Sequence, residues 1–213
     1  MNYDAAAVMA DPRGYLTEKQ IAALLSACRN KRDRALFQVM YRCGRRVSEV
    51  LALKREDIDW KSNRVIFRIL KKRHFHEEVK PVDRDTMRTL KEYLEDIPAC
   101  LKKRDDVLIF PVSRQYVFKL MRQIGEDAGI THVGRKGLHP HHLRHSFAVH
   151  QVRNNVKTVE QLRMLQRYMG HTNIAMTAHY LQFSTDDMKE ITNLWDNPVD
   201  KRDKKSTKTG TKP

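Results

Sequence analysis

Only three cysteines occur in 213 residues, at positions 28, 43 and 100, and no two of them form a Cys-x-x-Cys pair. An odd, scattered set of this kind argues against a disulfide scaffold and reads as reduced, mostly packing residues of an intracellular protein. The start, Met1-Asn2-Tyr3-Asp4, has neither a basic n-region nor an apolar h-region, so no secretory signal is read there. No apolar run approaches the roughly 18 residues needed to cross a bilayer, so no membrane span is expected. The compartment that follows is the cytoplasm, or the nucleus if the source is eukaryotic. Acidic residues are also in short supply, 26 against 41 Lys and Arg, which leaves a formal net charge of +15. Such an excess points to a polyanion, and to nucleic acid before membrane because no cationic amphipathic helix stands out. At 40% hydrophobic residues the chain has enough material for a packed core.

The pattern along the chain is mostly helical. Residues 1–16 read as a short, loose lead. Thr17-Glu18-Lys19-Gln20 is a capping box, followed at helical spacing by Ile21, Leu24, Leu25 and Cys28. A second helix is expected over 33–42, broken by Gly44, with a short third helix carrying Val47, Val50 and Leu51. Ser62-Asn63 reads as a turn, and residues 64–70 are rich in β-formers. Residues 78–82 are the expected hairpin partner, across a basic tip of Lys71, Lys72, Arg73 and His74. Further helices are expected over 83–95, 113–128, 140–153, 158–168 and 173–180, with a short apolar run at 107–110 and a loop at 129–137. Residues 185–195 place Met188, Ile191, Leu194 and Trp195 on one helical face, and the lysine-rich tail at 197–213 reads as disordered. The fold class is therefore α+β, mostly α, with a small antiparallel sheet: one domain over 17–196 between the lead and the tail.

The chemistry concentrates between His141 and Tyr180. His141 and Arg144, three apart, share a helical face. Gly170-His171 follows, and Tyr180 comes nine positions after that histidine. Histidine moves protons near neutral pH, arginine clamps an anion with two donors, and tyrosine supplies a nucleophilic oxygen. That combination suits attack on a phosphate. A zinc reading of His139, His141, His142 and His145 has only the i, i+4 spacing of His141 and His145 behind it, with no neighbouring cysteine or acidic ligand spacing. Upstream, Arg46 follows Gly44 at a helix start, with Glu49 one turn on; by spacing alone both fit an ordinary surface ion pair.

Three boxes together resemble the tyrosine recombinases, or phage-type integrases, over about residues 14–195. The first is Gly44-Arg45-Arg46-Val47-Ser48-Glu49 with Leu51, Leu53 and Asp57-Ile58. The second is His141-His142-Leu143-Arg144-His145-Ser146-Phe147-Ala148, and the third is Met169-Gly170-His171 with Thr177-Ala178-His179-Tyr180. The resemblance implies a DNA strand transferase with Tyr180 as nucleophile, forming a 3′-phosphotyrosine and a free 5′-hydroxyl. It implies Arg46 and Arg144 on the nonbridging oxygens, His171 as a further donor, His141 as proton acceptor from the tyrosine, and Glu49 supporting Arg46. Two fixed arginines can stand in for a metal at the transition state, so neither metal nor ATP is implied and no cofactor is expected.

A hairpin lysine, Lys71 or alternatively Lys72, would protonate the leaving oxygen. Lys72, Arg73, Arg45 and His145 would grip the DNA. Arg45 departs from the family pattern, which commonly has a hydrophobic residue there. The implied partners are double-stranded DNA and further copies of the chain, four on two duplexes, joined through residues 185–195. A relaxing topoisomerase and a non-catalytic DNA-binding regulator are the competing readings.

Overall fold

The computed structural model describes residues 14–71, 74–98 and 104–183. Helix α1 (Glu18–Ser26) starts on Thr17, whose side chain accepts from the Gln20 amide while the Gln20 side chain accepts from the Thr17 amide at 2.8 Å. Helix α2 (Lys31–Arg42) is capped by Asn30, which accepts from the Asp33 amide at 2.9 Å. Every residue of α2 from Ala35 to Tyr41 is buried. A helix apolar or satisfied on all sides belongs in the middle of a core, and α2 packs against α1, α4 (Arg84–Glu95) and α6 (His141–Asn155). Within that stretch Gln38 bonds Asp85 at 2.9 Å and accepts from Thr89 at 3.2 Å, so the buried amide is paired on α4, and the Tyr41 hydroxyl lies 2.7 Å from His150 Nδ1.

A three-stranded antiparallel sheet, β1 (Ile58–Asp59), β2 (Arg64–Lys71) and β3 (His74–Pro81), stands beside helix α3 (Val47–Leu51). Val65, Phe67 and Ile69 are buried at alternating positions of β2. The β2–β3 register runs from Arg64 opposite Pro81 to Lys71 opposite His74. The return strand thus begins at His74, not at residue 78, because its ladder with β2 runs on through Glu77, His76 and Phe75. At the other end, Asn63 adopts φ 51°, a left-handed turn that its short polar side chain tolerates.

Helix α5 (Arg114–Asp127) is capped by Ser113. The loop expected over 129–137 holds a two-residue ladder, β4 (His132–Val133) with β5 (Lys136–Gly137). Residues 107–110 form no strand; Leu108 makes a single bridge to Lys54 while Ile109 and Phe110 enter the core. Helix α7 (Val159–Met169) ends at Gly170 in the left-handed conformation, α8 (Ile174–Ala178) follows, and a 3₁₀ turn, His179–Phe183, carries Tyr180.

Tyr15 and Leu16, read from sequence as the end of a loose lead, belong to the core. Both are buried, Leu16 donates its amide to Ser146 Oγ at 2.8 Å, and Arg153 donates to the Tyr15 hydroxyl at 2.7 Å. No helix among the described residues is long and apolar enough to cross a membrane. Cys28 and Cys43 are unbridged, and burial pushes both thiols up to about 12. Cys100, Lys72, Arg73, the segment 185–195 and the tail at 197–213 lie outside the described residues.

Candidate active site

Three chain segments meet at one place: the Gly44–Glu49 corner between α2 and α3, the first turns of α6, and the stretch from the end of α7 to Tyr180. Gly44 makes the corner sharp enough. Its φ is +57°, and a Cβ there would run into the Phe147 ring of α6. Arg46 then caps α3, and Glu49 accepts both its amide, at 3.1 Å, and its Nη1, at 2.9 Å. Glu49 is buried, whereas the Arg46 side chain keeps 40% of its surface exposed. The carboxylate therefore fixes the root and orientation of a guanidinium that still faces outward.

Arg144 is 2% exposed and is held by backbone carbonyls: Nη1 donates to Gly44 O at 2.7 Å and Nη2 to Met169 O at 2.8 Å. Burial, and then the nearby Arg46, lower its pKa to about 10, which leaves it charged at neutral pH. Two of the three segments are thus tied to one guanidinium. His141, one turn earlier on α6, is exposed on one side; desolvation of its inner side and then Arg144 hold its pKa below the usual histidine value.

His171 sits past the left-handed Gly170 and is 9% exposed. Its Nδ1 is 2.8 Å from Thr177 Oγ1, a fully buried hydroxyl, and Gln166 donates to its carbonyl at 3.1 Å. The Gln166 bond holds the backbone here, and the Thr177 contact orients the ring. The Tyr180 ring lies 6.3 Å from it, the planes 18° apart, and 5.2 Å from the His145 ring. Tyr180 is 8% exposed; burial raises its pKa while Arg144 and Arg46 pull it down. Both guanidiniums therefore sense the phenol.

The expected DNA-gripping residues divide. Arg45 does not face outward: its side chain is 0% exposed, it bonds Glu78 at 3.1 Å and donates to Tyr168 O at 2.7 Å. Acidic and carbonyl partners inside the domain occupy it, which corrects the expectation that it meets DNA. His145 is partly buried against Tyr180, and burial lowers its pKa to about 4. His142 is stacked on His139 at 3.7 Å and accepts the His139 amide at 3.2 Å. Lys71 is the last residue of β2, paired with His74.

Sequence reasoning did not single out Thr177, Glu78 or Lys80 as site residues. For Thr177 the signal was available, since it stands in the third box; for the two hairpin residues none was.

Comparison with known proteins gives a consistent result. The Phage integrase family matches residues 14–186. Tyrosine recombinase XerD of Proteus mirabilis is 32% identical over 187 residues, covering 83% of this chain and 57% of that protein. Tyrosine recombinase XerA of Thermococcus onnurineus is 31% identical, covering 82% and 60%. The chain spans a little over half the length of these relatives. Among solved structures, XerA recombinase aligns with TM-score 0.65 at 24% identity over 85% of this chain and 64% of that one. The catalytic domain of bacteriophage HP1 integrase aligns with TM-score 0.60 at 22% identity over 87% and 96%. At such identities the structural likeness speaks for the fold, an α+β domain with a small antiparallel sheet. With the three boxes folded into one site and the family matched over most of its length, the chain belongs to the phage integrase family of tyrosine recombinases.

Proposed function

We propose that this chain cuts and rejoins double-stranded DNA at specific sites through a covalent tyrosine intermediate. The reading is supported above all by one arrangement: buried Tyr180 lies in ring contact with His145 and His171, against the helix α6 whose Arg144 is bonded to Gly44 and Met169. In the proposed reaction the Tyr180 oxygen attacks phosphorus and its proton passes to His141. The P–O5′ bond breaks, and the departing oxygen takes a proton from the hairpin lysine, Lys71 with Lys72 as the alternative. Arg46, Arg144 and His171 meet the charge that grows on the nonbridging oxygens, where fixed donors commonly supply about 3–4 kcal/mol each. Glu49 holds Arg46. The phosphotyrosine conserves the bond energy, so the reverse attack by a 5′-hydroxyl reseals the strand without ATP.

Exchange between two duplexes requires four protomers, and the sequence spacing of Met188, Ile191, Leu194 and Trp195 suits a segment that would join them. The net charge of +15 suits the DNA partner.

The test is incubation with nicked or suicide duplexes in the presence of a chelator. A covalent protein–DNA adduct that disappears in Tyr180→Phe is the expected result. No adduct on any candidate site, with Tyr180→Phe indistinguishable from wild type, would leave a non-catalytic DNA-binding regulator. Relaxation of plasmids irrespective of sequence would move the assignment to a topoisomerase.

A further inference from the structure

Three consecutive carbonyls at the end of α7 each accept a hydrogen bond from a cation on a different element. Lys80 Nζ donates to Arg167 O at 2.9 Å, Arg45 Nη2 to Tyr168 O at 2.7 Å, and Arg144 Nη2 to Met169 O at 2.8 Å. The last carbonyls of a helix lack intrahelical donors and form the negative end of its dipole, so cations belong there. Arg144 has its place in the proposed chemistry. Arg45 and Lys80 do not.

Glu78 joins those two. Its carboxylate takes Arg45 Nη1 at 3.2 Å and Nη2 at 3.1 Å, and pairs with Lys80 at 3.0 Å and His76 at 3.2 Å. The Arg45 guanidinium lies over the Phe67 ring at 4.8 Å and 3.8 Å from Glu49, and its Nε is buried without a hydrogen-bond partner. A buried ion pair of this kind costs desolvation, and well-packed apolar residues would serve stability as well or better. What apolar residues would not supply is a fixed geometry between elements.

The geometry in question is specific. Glu78 stands on β3 opposite Phe67, in the hairpin whose last pair is Lys71 with His74. Its Oε1 lies where a Cβ on Gly170 would be 3.2 Å away, one residue before His171. Through Arg45 and Lys80, which both reach carbonyls at the end of α7, Glu78 therefore links the hairpin, the Gly44–Glu49 corner and that helix end.

We propose that the Lys80–Glu78–Arg45 network is a positioning device. It holds the β2–β3 hairpin, and with it the lysine that protonates the leaving 5′-oxygen, against the α7 end that presents His171. This inference rests on the strand-transfer reading above, and its tests separate the two.

Two measurements on the full chain decide it, using Glu78→Gln, which keeps the shape and removes the charge, with Lys80→Gln made alongside as a milder break. The first needs no catalysis: amide hydrogen exchange of DNA-free protein. Amides of residues 64–80 should exchange about tenfold faster or more in Glu78→Gln, with those of α2 unchanged; an unaltered hairpin overturns the proposal. The second compares cleavage of a normal duplex with one carrying sulfur at the bridging 5′ position, a leaving group that needs no acid. Small misplacements of a catalytic group cost up to about 10²-fold. Glu78→Gln should therefore slow the oxygen substrate about 10- to 100-fold and the sulfur substrate less than about threefold. Equal slowing of both substrates overturns the assignment to the acid. Wild-type protein that cleaves neither substrate sinks the strand-transfer reading instead, and the exchange data still decide whether the network holds the hairpin.

Discussion

Arg144 donates to the carbonyl of Gly44, 100 positions earlier in the chain, at 2.7 Å, and to Met169 at 2.8 Å with its other terminal nitrogen. A planar fork spans two carbonyls; a lysine ammonium does not reach both in the same geometry. Arg144→Lys should therefore lower the free energy of unfolding by about 1–3 kcal/mol and cut the rate of adduct formation by about 10²-fold or more. Urea unfolding and a single-turnover suicide-substrate assay measure the two. A wild-type midpoint together with wild-type cleavage would show that the fork is not what joins these segments.

Gly44 and Gly170 both hold positive φ, +57° and +66°, yet their surroundings differ. A Cβ at position 44 overlaps the Phe147 ring, whereas one at 170 stands 3.2 Å from Glu78 Oε1, a contact relieved by a shift of a few tenths of an ångström. Both alanine variants meet the backbone penalty of about 1 kcal/mol, and Gly44→Ala adds an overpacking cost of about 1–3 kcal/mol. Gly44→Ala should thus be the more destabilised by thermal and urea unfolding. The reverse ranking would mean that the corner relaxes more readily than the α7 cap.

His142 is buried on His139, and burial first, then the neighbouring histidines, lower its pKa to about 3. Its unfolded value is near 6.5, so between those limits the unfolded chain binds a proton that the folded chain refuses. Stability is then withdrawn as pH falls through that window, and regained as pH rises. His142→Asn, which keeps an acceptor for the His139 amide, removes this contribution. Between pH 7.5 and 4.5 wild type should lose about 2 kcal/mol more than the variant. Chemical denaturation at several pH values gives the difference, and parallel profiles would place the acid sensitivity elsewhere.

How far the sequence could be read depended on the kind of information each feature carries. Thr17, Asn30, Asp83, Ser113 and Thr158 each accept from a backbone amide three positions on, a local relation visible in the string. The clustering of Arg46, Arg144, His171 and Tyr180 was legible only through the order of three boxes, since no local pattern places residue 46 beside residue 144. Arg45 was misread for the opposite reason. A basic residue in a chain with 41 of them looks like surface, and its burial is decided by Glu78 and the Tyr168 carbonyl, which come from other elements. Tyr15 and Leu16 were likewise invisible as core, because Ser146 and Arg153 on α6 fix them from 130 and 138 positions away.

Thr177 gives the most discriminating variant of the site. Its hydroxyl is fully buried and 2.8 Å from His171 Nδ1, and so fixes which way the imidazole turns, a hydroxyl serving either tautomer. Thr177→Val keeps the volume and deletes this buried hydrogen bond, at a cost of about 1–3 kcal/mol. The phenol of Tyr180 and both arginines stay intact, so DNA affinity at fixed salt should remain within about twofold. Cleavage, in contrast, should fall about 10- to 100-fold through the misoriented donor, and Thr177→Ser should restore most of it. Loss of affinity in step with rate, or no rescue by serine, would show that Thr177 acts by packing rather than by orienting His171.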